Sequence, residues 1–213
     1  IFPNYTENGY EVTNMNANIF KKLKKFYDRA KDYSTDEHQK HVGYINHEET
    51  SPKMLHLDLE GDALETIPKW IKPTLEYWCK CELVFTHMYG IREYFTGNIL
   101  ENHVDRTDTH IISAILQVAK DLGEKPDWPL EMIGYDGKRN PITLNPGQML
   151  MYESGKIIHG RPSPFQGNVY ANAFIHFKPK HWHMSYNSTH LLDDRKKIVE
   201  PILRHFTDVT QTK

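Results

Sequence analysis

Apolar residues recur at two different spacings along the chain. Ile19, Phe20, Leu23, Phe26, Tyr27 and Ala30 follow a helical period, while Lys21, Lys22, Lys24 and Lys25 take the other faces. That basic run reads as a solvated helix face. A second helix is predicted from about Asp62 to Cys81, with Leu64, Ile67, Ile71, Leu75 and Trp78 on one stripe and Pro68 and Pro73 dividing or kinking it. Between these helices, Tyr33 to Lys53 is polar and loop-like, and its His38, His41 and His47 read as surface residues. From Leu83 onward the period falls to two. Strands are predicted at Leu83–Tyr89, Ile91–Phe95, Asn98–Asp105, His110–Val118, Leu130–Tyr135, Pro141–Leu144, Met149–Glu153 and Asn168–Lys178, parted by Gly, Pro, Asn or Asp turns.

Short strands following helical segments predict an α+β chain with a jelly-roll (double-stranded β-helix) core and supporting N-terminal helices. A length of 213 residues fits one domain spanning 1–213. Within it, 1–82 is mainly helical support, 83–180 the jelly-roll core and 181–213 a C-terminal extension.

The formal charge of -2 gives no bulk attraction to nucleic acid or to an anionic membrane. No run is apolar enough to cross a bilayer, and nothing at Ile1 reads as a signal peptide. The chain opens without Met, as a processed or truncated piece would. Cys79 and Cys81, the two cysteines, exclude a disulfide framework and make an incomplete zinc site. The sequons Asn4-Tyr5-Thr6 and Asn187-Ser188-Thr189 are too common by chance to assign a compartment.

The chemistry concentrates at His103-Val104-Asp105 and at His159 in Ile158-His159-Gly160-Arg161-Pro162. Residues i and i+2 of a strand share a face, so His103 and Asp105 can grip one metal. Two histidines and one carboxylate form the ligand set of a non-haem iron(II) site, with His159 as third ligand and positions left for a bidentate co-substrate and oxygen. The triplet occurs in a chain with thirteen histidines, so its weight comes from context. Tyr89–Phe95 reads as a strand and Thr96-Gly97-Asn98 as a turn ahead of His103; Pro146-Gly147-Gln148 turns into the apolar strand before His159.

From Tyr89 to Pro179 the chain resembles the iron(II)- and 2-oxoglutarate-dependent dioxygenases, in particular their prolyl 4-hydroxylase branch. The resemblance rests on the ordered set Tyr94, His103-Val104-Asp105, Pro146-Gly147, His159 and Gly167-Asn168-Val169-Tyr170-Ala171-Asn172. It implies that His103, Asp105 and His159 bind Fe(II), that 2-oxoglutarate chelates the metal and is decarboxylated to succinate, and that an aliphatic carbon is hydroxylated. Peptidyl proline is the substrate it favours, with a free amino acid or small metabolite as the rival; ascorbate is an admissible further cofactor. The partner is then a peptide or small molecule, with no nucleic acid and no membrane. Tyr94 matches a family tyrosine near the site.

One position departs from the pattern. The family's Lys or Arg about ten residues after the second histidine, which pairs with the far carboxylate of 2-oxoglutarate, is here Val169. Arg161, which shares a face with His159 if the chain stays extended, is the replacement to expect, and Arg92 is the alternative; Arg106 should point away. The departure also keeps open a jelly roll that binds metal or ligand without turnover, while a zinc hydrolase would lack an obvious base. In the strand Asn168–Lys178, Tyr170, Asn172, Phe174 and His176 share one face and Val169, Ala171, Ala173, Ile175 and Phe177 the other. His176 reads as a packed or solvent-side residue, and His181-Trp182-His183 as a C-terminal surface feature. The polar stretch Tyr33–Lys53 and the segment Lys120–Trp128 are candidates to close over a substrate.

Overall fold

The computed structural model describes residues 3–37, 51–59 and 61–182. His38, His41, His47, most of the loop-like stretch 33–53, His183 and the second sequon lie outside the described residues. In chain order the elements are β1 (Tyr10–Asn14), α1 (Ala17–Ala30), β2 (Thr35–Asp36), β3 (Lys53–His56), α2 (Ala63–Cys79), β4 (Leu83–Tyr94), β5 (Leu100–His103), β6 (Ile112–Asp121), β7 (Leu130–Ile133), β8 (Arg139–Ile142), β9 (Gln148–Tyr152), β10 (Ile158–Arg161) and β11 (Val169–Pro179). Two sheets face each other. The larger runs β1-β9-β6-β11-β4-β3-β2 and the smaller β5-β10-β7-β8, with antiparallel pairing throughout. This is the expected jelly roll.

Both helices lie on the outer face of the larger sheet. The helix α1 starts at Asn16, whose side chain accepts from the Asn18 amide, and buries Ile19, Leu23, Phe26, Tyr27 and Ala30. Ala63, Ile67, Ile71, Leu75 and Cys79, four residues apart, form the buried stripe of α2. Pro68 and Pro73 sit inside this one uninterrupted helix and do not divide it. Burial of Pro68 beside Ile67 offsets the backbone hydrogen bond that proline cannot make. The helices pack on Met88 and Ile91 of β4, Ala114, Leu116 and Val118 of β6, and Ala171, Ala173, Ile175 and Phe177 of β11. Strand alternation therefore turns Tyr170, Asn172, Phe174 and His176 toward the smaller sheet. Ile115, Leu150 and Tyr152 meet Leu100, Leu130 and Met132 in that second apolar layer.

Several boundaries differ from the sequence reading. Gly90 does not break β4, which runs through it; a Cβ at Gly90 would collide with the Leu55 carbonyl, so the glycine lets β3 approach. The larger sheet also begins before residue 83, because β1, β2 and β3 all join it. Their short lengths and the mostly exposed residues of β1 leave little alternation to read.

Candidate active site

His103 ends β5, and the strand does not extend to Asp105 as expected. Asp105 lies in the loop that follows, pinned by its amide to the Ser154 carbonyl at 2.8 Å. His159 lies in β10 directly opposite His103. Gly160 permits that pairing. A Cβ there would lie 2.8 Å from the backbone of Asn102, closer than the strands could accommodate. The imidazole centroids of His103 and His159 are 4.4 Å apart. One ligating atom from each of His103, Asp105 and His159 falls within 4.8 Å of the other two.

The donor set suits a divalent cation. Nδ1 of His103 meets the Glu101 carbonyl at 2.7 Å, and Nδ1 of His159 meets the Ile157 carbonyl at 2.8 Å. A carbonyl only accepts, so both Nδ1 atoms carry a proton, and each ring is held with Nε2 turned toward Asp105. Those Nε2 atoms face Asp105 Oδ1 at 3.6 and 3.7 Å. Burial, reinforced by His103, lowers the His159 pKa to about 4, so its imidazole is neutral at neutral pH. Burial of Asp105 opposes its ionisation, but His103, His159 and His176 together hold it well below the usual carboxylate range.

A polar relay supports the triad from the larger sheet. Ser154 donates to the His110 carbonyl, so Ser113 must donate to Ser154, and His176 Nδ1–H to Ser113, at 3.1, 2.6 and 2.7 Å. His176 Nδ1 also lies 3.8 Å from Asp105 Oδ2, and its ring stacks on His110 at 3.7 Å. Burial pushes the pKa of His110 down to about 4 and that of His176 well below the usual imidazole range. Tyr152 sets its ring edge against His159 and its hydroxyl 3.5 Å from Asp105 Oδ2. Sequence reasoning placed His176 on the correct strand face without giving it this neighbour. No local motif marks Ser113, Ser154, His110 or Tyr152.

Beyond His159, Arg161 is 1% exposed. Its guanidinium carbon lies 4.9 Å from the ring centroids of Trp128 and Tyr170 and 6.0 Å from that of Tyr94. Nε donates to the Trp128 carbonyl at 3.4 Å, while one terminal nitrogen and the Tyr170 hydroxyl have no hydrogen-bond partner. Among the described residues no carboxylate pairs with Arg161. Trp128 and Tyr170 were not expected here. Trp128, in a segment read as a possible lid, is 3% exposed and donates through Nε1 to the Ser163 carbonyl.

The other candidates are engaged elsewhere. Arg92 makes a paired contact with the buried Glu37 carboxylate at 2.5 and 2.6 Å and reaches the Tyr94 hydroxyl only at 3.4 Å. Arg106 is bound to Asp108, on the surface. Trp182, expected as a surface residue, packs against the core and donates to the Thr107 carbonyl. His181 beside it is exposed.

No protein-family model matches this chain, and no curated protein matches it. Solved structures do. The non-haem α-ketoglutarate-dependent epimerase SnoN from nogalamycin biosynthesis aligns with a TM-score of 0.62 at 10% identity, covering 83% of this chain and 80% of SnoN. A prolyl hydroxylase from Trichoplax adhaerens, solved with a peptide fragment of the hypoxia-inducible factor oxygen degradation domain, gives 0.56 at 13% identity, covering 80% and 84%. HygX from Streptomyces hygroscopicus, solved with nickel and 2-oxoglutarate, gives 0.57 at 9% identity, covering 82% and 84%. The likeness is one of fold: the chain has the jelly roll found in 2-oxoglutarate/iron(II) oxygenases.

Proposed function

We propose that this protein is an iron(II)- and 2-oxoglutarate-dependent dioxygenase that hydroxylates an aliphatic carbon, with a prolyl residue in a peptide as its substrate. The observation that carries the reaction class is the convergence of His103, Asp105 and His159, both histidines held through Nδ1 by backbone carbonyls. The substrate rests on less: the ordered motif set and the fold shared with a prolyl hydroxylase. That fold is also shared with an epimerase, so a small-molecule substrate is the competing choice.

In this reading His103, Asp105 and His159 hold Fe(II), and Arg161 receives the far carboxylate of 2-oxoglutarate in place of the basic residue absent at Val169. When bound, iron(II) and 2-oxoglutarate supply the oxygen activation and reducing equivalents that turn a C–H bond into C–OH, with succinate and carbon dioxide released. The chain's own part is orientation and dryness. Carbonyls of residues 101 and 157 fix both imidazoles, and the Ser154 carbonyl fixes the Asp105 backbone. Trp128, Tyr170 and Tyr94 keep water from the Arg161 guanidinium, which strengthens its hold on an entering carboxylate.

Anaerobic titration of metal-free protein with Fe(II) and 2-oxoglutarate, then oxygen and a succinate assay over a panel of prolyl peptides and free amino acids, tests both levels. Succinate formation coupled to a prolyl peptide is expected. Coupling to a free metabolite alone would move the substrate. No succinate with any member would remove the oxygenase reading.

A further inference from the structure

The two cysteines take no part in the site described so far, yet their sulfurs touch. Cys79 ends α2, and Cys81 begins the approach to β4. Between them Lys80 adopts a left-handed conformation (φ 54°, ψ 31°), the one non-glycine positive φ among the described residues. That turn reverses the backbone and brings the side chains two positions apart onto one side. Cys79 Sγ and Cys81 Sγ lie 2.9 Å apart as free thiols. An unlinked sulfur pair is ordinarily spaced more widely, and a disulfide needs about 2.05 Å. Closure therefore requires a small approach of the two sulfurs.

We propose that Cys79 and Cys81 form a reversible dithiol–disulfide pair that reacts with low-molecular-weight disulfides such as oxidised glutathione. Cys79 is 2% exposed, whereas Cys81 is only half-buried, so Cys81 is the sulfur a solvent disulfide meets. The shared contact lowers the Cys79 thiol below its usual range and raises Cys81, so one proton serves both sulfurs and can cross between them. As the shared proton passes from Cys81 to Cys79, Cys81 attacks one sulfur of the small disulfide; the S–S bond of the reagent breaks and one small thiolate leaves. Cys79, losing its proton, then attacks Cys81 Sγ, forming the Cys79–Cys81 bond and expelling the second small thiolate. The protein is oxidised by two electrons and the reagent is reduced to two thiols. The bond closes a very short loop, so it restrains the unfolded chain little and stays reducible.

The test uses the full chain equilibrated in reduced and oxidised glutathione mixtures, acid-quenched, alkylated under denaturing conditions and weighed intact. Two alkylated thiols should give way together to none, with no glutathione adduct retained, and added dithiothreitol should restore both. The same transition in guanidinium-unfolded chain should need about ten-fold more oxidised glutathione, since the native contact is then absent. Cys79→Ser should instead accumulate a stable glutathione adduct on Cys81, and circular dichroism checks that this variant is folded. Two thiols persisting across the whole series would overturn the proposal. So would a wild-type glutathione adduct that never resolves, or equal oxidation of native and unfolded chain.

Discussion

Replacing Arg161 with Met separates a ligand-binding arginine from one that merely pins the loop after His159. The guanidinium is buried with one long hydrogen bond, one terminal nitrogen unpartnered and no carboxylate partner among the described residues. An unmade buried hydrogen bond costs about 1–3 kcal/mol. The aromatic rings at 4.9, 4.9 and 6.0 Å return a comparable amount, about 0.5–2 kcal/mol for each good cation–π contact. Met has similar length, keeps the ring contacts and removes the desolvated charge. The metal-free Arg161→Met protein should therefore unfold within about 1 kcal/mol of wild type, a shift of roughly 2–4 °C or less. Ligand binding should respond very differently. A charge-assisted hydrogen bond to a carboxylate is worth about 1.5–3 kcal/mol, so the 2-oxoglutarate Kd should rise about ten- to hundred-fold. Calorimetric titration of Mn(II)-loaded protein with 2-oxoglutarate, beside thermal melts of the metal-free forms, reads both quantities. A loss of several kcal/mol in stability with an unchanged Kd would refute the reasoning and make Arg161 a structural pin.

Three other outcomes follow from the site. Asp105→Ala should abolish tight Fe(II) binding and succinate formation while the circular dichroism spectrum persists; wild-type iron affinity in that variant, measured by anaerobic titration, would contradict the triad. In the metal-free protein, His110 and His159 titrate near 4 against about 6.5 when unfolded, so the native chain binds fewer protons than the unfolded chain between those values. Stability should then be complete above about pH 6.5 and decline as pH falls toward 4, by up to about 3 kcal/mol per histidine; a urea midpoint that is flat over this window would show otherwise. Tyr89, 43% exposed and stacked on His87, lies on the open side of the histidine group. Tyr89→Ala should raise KM for the prime substrate several-fold and spare uncoupled 2-oxoglutarate turnover, whereas parallel loss of both activities in steady-state assays would assign Tyr89 to folding.

The extent to which the sequence was legible follows the range of the forces involved. The core strands and both helices were visible because burial imposes a local period, as on Ile67, Ile71 and Leu75 or on Ala171, Ala173 and Ile175. Strands β1, β2 and β3 were not, because pairing partners far along the chain hold them and few of their own residues are buried. That His103, Asp105 and His159 converge was legible from a spacing and an ordered set of neighbours. Its geometric account needed correction: His103 and Asp105 do not share a strand, and the Ser154 carbonyl, forty-nine residues on from Asp105, sets the Asp105 backbone. Trp128 and Tyr170 were illegible as Arg161's surroundings, because a cation–π contact leaves no periodic trace in sequence. Arg92 could be set aside only when Glu37 was seen against it.

The two sides of the triad differ in a way that bears on how such a site would be loaded. On one side Arg161, Tyr94, Trp128 and Tyr170 are all at most 3% exposed, and the one fixed charge has no anionic partner of its own among the described residues. A cation so placed favours an anion that arrives from solution and can be released, because a permanent internal carboxylate would compete with it. On the other side three imidazoles step outward from His176 through His110 to His87, with centroid separations of 3.7 and 5.4 Å, and end at the exposed ring of Tyr89. Burial keeps His110 and His176 neutral at pH 7, so this side offers flat surfaces and hydrogen-bonding edges with little charge. Such a surface accommodates a ring or a peptide unit more readily than it does a second dianion. On the proposed reading the two ligands are thus sorted by electrostatics: the charged co-substrate to the dry arginine side, the less polar substrate to the imidazole side. On the same reading Val169 needs no charge of its own, because Arg161 takes the far carboxylate. That reading puts carboxylate binding two positions from the proposed metal ligand His159, with Gly160 between them letting β10 lie close to Asn102.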